Sequence, residues 1–333
     1  MTQRNTRNTA KAKTSKHEAQ DTDESQDHAA REDGMKTPEQ ETEGAPKVGD
    51  KRKANGTFEV ANKSSKATKS EQASKVHDHE DSHGDASPEQ VLRFLLSDAA
   101  LEVCRPDDEL QDLQDRGKDI VTYAQLLSPF EELLCAVILS RPISHRLGLR
   151  TIRTILNQPY EFKDADTIKS AGSDKIRQAL DDAHTQHKGK TTEEIKLIAE
   201  AVEENDWNSD LENIRKQTEN GVSEERELLQ SSIKGLGKTG LDIFYRRIQW
   251  QWDEAFPFID ARTQASLAEL GLPREPAELV DLIERNWQDV NHDNGGANDE
   301  EKKRRAYVLL LERAVGADLD KKVKNVLEEA LKS

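Results

Sequence analysis

From Pro88 onward the apolar positions recur with the 3.6-residue period of a helix. Phe130, Leu133, Leu134, Val137 and Ile138 fall at i, i+3, i+4, i+7 and i+8, a stripe that faces a core. Ile195, Ile198 and Val202 make a second stripe, with Thr191 or Thr192 as its candidate N-cap and Glu residues behind it. Leu241, Phe244, Tyr245 and Ile248 make a third, and Val323, Val326, Leu327, Ala330 and Leu331 the last. No run alternates with a period of two, so the spacing predicts an all-α fold. Ser128-Pro129, Arg141-Pro142, Gln158-Pro159, Gly235 to Gly240, Pro257 and Gly271 to Pro276 divide the pattern into segments of ordinary helix length. The polar, Gly-rich stretch over residues 288–303 predicts a mobile loop between two C-terminal helices.

The pattern is missing from the first quarter of the chain. Residues 1–86 hold no Leu, Ile, Trp or Tyr and one aromatic side chain, Phe58. A segment so poor in apolar surface cannot offset the entropy lost on ordering, which predicts a disordered polar tail over 1–86 and a helical domain over 87–333. Within the tail, Lys51-Arg52-Lys53 with Lys63, Lys66 and Lys69 forms a basic stretch that reads as a nuclear import signal, a DNA-contacting arm, or a solvated Lys-rich segment.

Charge narrows the function classes. The 333 residues carry 49 Lys and Arg against 65 Asp and Glu; the tail accounts for 15 and 17 of these, leaving 34 against 48 beyond it. An acidic body argues against broad, nonspecific polyanion binding, since affinity for a phosphate backbone comes mainly from Lys and Arg. No apolar run approaches the roughly 18 residues of a membrane span, and the N-terminus lacks an apolar secretory core, so a soluble, intracellular protein without membrane contact is expected. Two cysteines, Cys104 and Cys135, supply neither a disulfide framework nor a four-Cys zinc or iron–sulfur centre.

The segment with chemical content is Ile233-Lys234-Gly235-Leu236-Gly237-Lys238-Thr239-Gly240, between a helix ending near Leu229 and the helix of the third stripe; the whole motif spans residues 222–251. Gly235 and Gly237 permit positive φ and close backbone approach, so that N–H groups at the start of the second helix can face an anion such as a DNA phosphate. Lys234 and Lys238 flank the turn, and Arg246 and Arg247 follow it. Two glycines also suffice to turn a plain αα-corner. Further on, Phe256-Pro257-Phe258-Ile259-Asp260 places an acid at the start of a helix running toward Leu270, 25 residues beyond Gly235.

This combination resembles the helix-hairpin-helix (HhH-GPD) DNA glycosylase superfamily, the group of endonuclease III and the adenine and alkyladenine glycosylases. There a Gly-apolar-Gly hairpin is followed about twenty residues later by an apolar-Asp pair opening the next helix. The stretch Ser128-Pro129-Phe130 to Leu139-Ser140 is similar to the family's early core helix. The resemblance implies a two-lobed helical fold and a monomeric nuclear enzyme of base-excision repair. Such an enzyme extrudes a damaged or mismatched base from double-stranded DNA and hydrolyses its N-glycosidic bond. It implies that Asp260 is catalytic and that Lys234, Gly235, Leu236, Gly237 and Lys238 contact DNA; apart from the resemblance, Arg141 and Arg146, with His145, Arg150 and Arg153, read as a basic DNA-contacting edge or as solvated helix surface. No cofactor and no metal are expected.

The sequence also departs from the family. The position of the family's Schiff-base lysine falls on Thr239 in an ungapped alignment; Lys238 lies one residue earlier, about 100° around the helix. Strand cleavage is therefore not expected, and the activity implied is monofunctional. No cysteine follows Asp260, so the iron–sulfur cluster of several members is not expected. A cap is an alternative role for Asp260, core packing an alternative for Trp250 and Trp252 to stacking on a base, and a catalytically degenerate DNA-binding or protein-interaction module an alternative for the whole domain.

Overall fold

In a computed structural model of the protein, residues 86–117, 119–290 and 296–333 are described. Among them the regular elements are helices, with no strand. In chain order these are α1 (Pro88–Leu96), α2 (Ala99–Cys104), α3 (Asp107–Arg116), α4 (Pro129–Leu139), α5 (His145–Leu156), α6 (Ala165–Asp182), α7 (Lys188–Glu204), α8 (Glu212–Gln217), α9 (Val222–Ser232), α10 (Lys238–Ile248), α11 (Ala261–Glu269), α12 (Pro276–Arg285), α13 (Asp299–Leu319) and α14 (Val323–Ala330).

Local chemistry sets where several of them begin. Ser87 and Ser128 each precede a proline, whose fixed φ suits the first helical position, and each closes a capping box. Gln90 N–H donates to Ser87 Oγ (3.3 Å) while Ser87 N–H donates to Gln90 Oε1 (2.9 Å); Ser128 and Glu131 repeat the exchange at α4. The expected cap at Thr191 or Thr192 is corrected: α7 starts at Lys188, and both threonines are buried inside it. Thr191 Oγ1 donates to the carbonyl of His187 (3.2 Å), which satisfies the hydroxyl inside the helix. The loop expected over 288–303 is also shorter at its far end. Asn298 accepts the Glu301 N–H (2.9 Å) and caps α13, so residues 299–303 are its first turn and a half, while 291–295 lie outside the described residues. The tail and its basic stretch lie outside them too, apart from Ala86, which packs beneath α1.

Apolar side chains gather into two separate cores. The first draws on the continuous stretch from Tyr123 to Ala255 and contains most of α4 through α10. The second combines α1 and α2 with α11 through α14: Val91, Leu92 and Leu95 meet Leu267, Leu279, Tyr307 and Leu310. Helix α4 is buried on nearly every side, and α10 packs against it while also touching α13. Two charged residues of α10 are consequently taken out of water. Arg247, fully buried, donates from Nε and Nη2 to the two oxygens of Glu132 (2.9 Å each) and stacks 4.3 Å from the Tyr123 ring centroid. Arg246 points the other way, toward the second core.

Candidate active site

The glycine turn joins α9 to α10. Leu236 is buried and anchors the turn in the first core, and its N–H donates to Ile233 O (3.1 Å). Gly235 has φ +101°, and a Cβ there would lie 2.8 Å from Glu194 Oε1. Both the backbone angle and the close carboxylate require glycine. Gly237 differs from the expectation: its φ is −96°, so it needs no left-handed freedom, and a Cβ would meet nothing within 4 Å. It is the N-cap of α10 and offers no side-chain acceptor, leaving the first N–H groups of that helix uncapped beside open space.

The surface charge of the turn is smaller than the sequence count. Lys234 and Lys238 are exposed, but Lys238 Nζ pairs with Asp242 (2.5 Å), which Arg226 also reaches (2.5 Å). Arg246 and Arg247 are internal. Arg141 is beside the turn but is held by Glu194, the carboxylate against which Gly235 packs. Arg146 is exposed and bonded to Asp108 on α3 (2.8 Å), and Arg153 is buried among Asp108, Glu109 and Asp112. Arg146 and Arg153 thus form an ion-pair array that ties α5 to α3.

A cleft of about 360 Å³ opens between the two cores, within the roughly 300–1,000 Å³ of small-molecule sites. Leu139, Ile143, Thr239 and Ile243 line the side toward the first core; Asp260, Arg262, Glu312 and Val315 line the side toward the second, and His145 stands at the edge. Thr239, two residues beyond Gly237, and Asp260 therefore share one cavity. Trp250 and Trp252 do not line it. Trp252 is buried edge-on against Phe244 and Tyr245, and the Arg305 guanidinium lies 3.9 Å from the Trp250 ring centroid, so both belong to packing.

Asp260 caps α11 and lines the cleft at once. Its Oδ1 accepts the N–H groups of Arg262 (2.9 Å) and Thr263 (3.1 Å). Its Oδ2 accepts Thr263 Oγ1 (2.6 Å) and Arg246 Nη1 (3.0 Å). Burial alone would raise its pKa, but the Arg246 charge and the bonds from Thr263 outweigh burial, and the carboxyl stays below its ordinary value. The helix dipole adds to this. The same Arg246 donates from Nε to Glu312 Oε1 on α13 (2.5 Å), so one buried guanidinium spans two carboxylates. Burial disfavours its charge, yet Glu312 and Asp260 hold it firmly protonated.

Sequence reasoning placed Asp260 at a helix start but missed Glu312, Thr263 and the bridging role of Arg246. One signal was present: α10 is apolar at Leu241, Ile243, Phe244, Tyr245 and Ile248, which leaves Arg246 and Arg247 little surface to occupy and calls for carboxylate partners elsewhere. Among the described residues no three His, Cys, Asp or Glu side chains gather to hold a metal ion, and no helix is long and apolar enough to cross a membrane. Compared with protein-family models, curated proteins and solved structures, the chain matches none.

Proposed function

We propose that the protein is a monofunctional DNA glycosylase of the helix-hairpin-helix type, acting in the nucleus on duplexes with a damaged or mismatched base. The observation that carries this reading is the meeting of Thr239 and Asp260 in a cleft between two helical cores, beside a glycine turn with uncapped N–H groups. The turn and Lys234 would grip a strand by its phosphate, and the extruded nucleotide would enter the cleft. As the bond from sugar to base breaks, positive charge grows on the sugar. Asp260, ionised and fixed by its four donors, offers a preorganised countercharge in a partly dry site. With Thr239 where a Schiff-base lysine would stand and Lys238 turned to Asp242, the amine route to strand cleavage has no nucleophile in the cleft among the described residues.

One observation favours a second reading, a non-catalytic DNA-binding module: those same four donors bind Asp260 as firmly as any structural cap. A single experiment separates the two. Duplexes with alkylated, oxidised, deaminated or mismatched bases are incubated with the full chain, and abasic sites are revealed by alkali. Excision that falls by ~100-fold or more in Asp260→Asn supports the glycosylase. Binding that weakens in Lys234→Glu, with no base released by the wild type, establishes the module instead.

A further inference from the structure

The acid that anchors the glycosylase reading has no lone pair to spare. A carboxylate offers about four acceptor positions, and Asp260 fills them with two backbone N–H groups, the Thr263 hydroxyl and Arg246. To take a proton from water it would have to break its own cap or its ion pair inside a buried site. Glu312 is placed differently. It lines the same cleft from α13, its Oε1 is oriented by Arg246 Nε, and its Oε2 has no partner among the described residues. A shared guanidinium fixes Glu312 relative to Asp260, so the two carboxylates occupy one constellation while only one of them has a free oxygen.

Resting on the glycosylase reading, we infer that the two roles are split: Asp260 is the fixed countercharge, and Glu312 is the base that aligns and deprotonates the attacking water. In the step, the C1′–N bond breaks and its electron pair leaves with the base. The water oxygen bonds to C1′, and the proton it sheds passes to Glu312 Oε2. Glu312 then returns that proton through solvent to the departed base, so the products are a free neutral base and a sugar carrying a C1′ hydroxyl. Glu312 also borders a second, narrow cavity of about 50 Å³, where the buried Tyr123 hydroxyl has no partner among the described residues. That volume accommodates water beside Glu312, in a cavity separate from the main cleft.

The test uses the full chain and the lesion duplex that the wild type excises best, under single-turnover conditions. Glu312→Gln keeps an oxygen for Arg246 Nε and preserves the shape, so folding is checked by circular dichroism and excision is then read directly. The expected result is excision ~100-fold slower or worse, with unchanged binding to a duplex bearing an abasic-site analogue. Glu312→Ala should regain activity with added sodium formate, whereas Asp260→Asn should not. Glu312→Gln excising at the wild-type rate overturns the inference. So does a Glu312→Ala loss that formate leaves untouched. A wild-type chain that excises nothing overturns the glycosylase reading itself, and this assignment with it.

Discussion

Asp260 shows how one side chain can carry a structural and an electrostatic duty together. Its carboxyl is held below its ordinary pKa, so the stability it contributes is complete above the unfolded carboxylate value of roughly 4 and disappears as pH falls through the lower folded value. Thermal unfolding followed from pH 7 down to pH 3 should therefore lose stability less steeply in Asp260→Asn than in the wild type, on top of a lower Tm at neutral pH. Equal acid slopes in the two chains would show that other carboxylates govern acid unfolding. The position of Asp260 was readable because a cap announces itself locally, three residues from its partner Thr263. Glu312 was not. It lies within Leu309-Leu310-Leu311-Glu312-Arg313, where its spacing matches any solvent-facing glutamate, and its partner is 66 residues away.

The two glycines of the turn look equivalent in the sequence and are not equivalent in space. Gly235 needs a positive φ and contacts Glu194, so Gly235→Ala should cost on the order of 1–3 kcal/mol, read from urea unfolding. Gly237 has an ordinary φ and faces open space, and a serine there can cap α10. Gly237→Ser should thus leave Tm equal or raise stability by about 0.3 kcal/mol. If that space admits a phosphate, the same serine should weaken DNA binding in a fluorescence-anisotropy titration. Undiminished affinity would remove Gly237 from the interface. Helices were legible through their 3.6-residue stripes. The direction in which α10 sends its arginines was not, because it depends on α4 and α13, each distant in sequence.

Over the whole molecule, the division into two cores decides which parts of the chain need one another. Val91, Leu92 and Leu95 of α1 are fully buried against residues from the other end of the domain. Burying a side chain of that kind is worth about 1.5–3 kcal/mol, and total stability is about 5–15 kcal/mol. A chain beginning at Ala99 should consequently lose cooperative unfolding of the second core, seen as a flattened calorimetric transition. A sharp single transition at the wild-type temperature would contradict this packing. Composition revealed where apolar residues begin, but periodicity carries no information on which helices share an interior, and the pairing of α1 with α13 and α14 was beyond its reach.

That pairing has a consequence for the order in which the protein becomes itself during synthesis. Every residue of the first core emerges from the ribosome before α11 exists, whereas Tyr307, Leu310 and Ala314, around which α1 and α11 close, follow only with α13. A nascent or prematurely terminated chain can hold a finished glycine turn while its cleft still lacks a far wall. Synthesis of α13 is thus the event that brings Glu312 to Arg246 and Asp260.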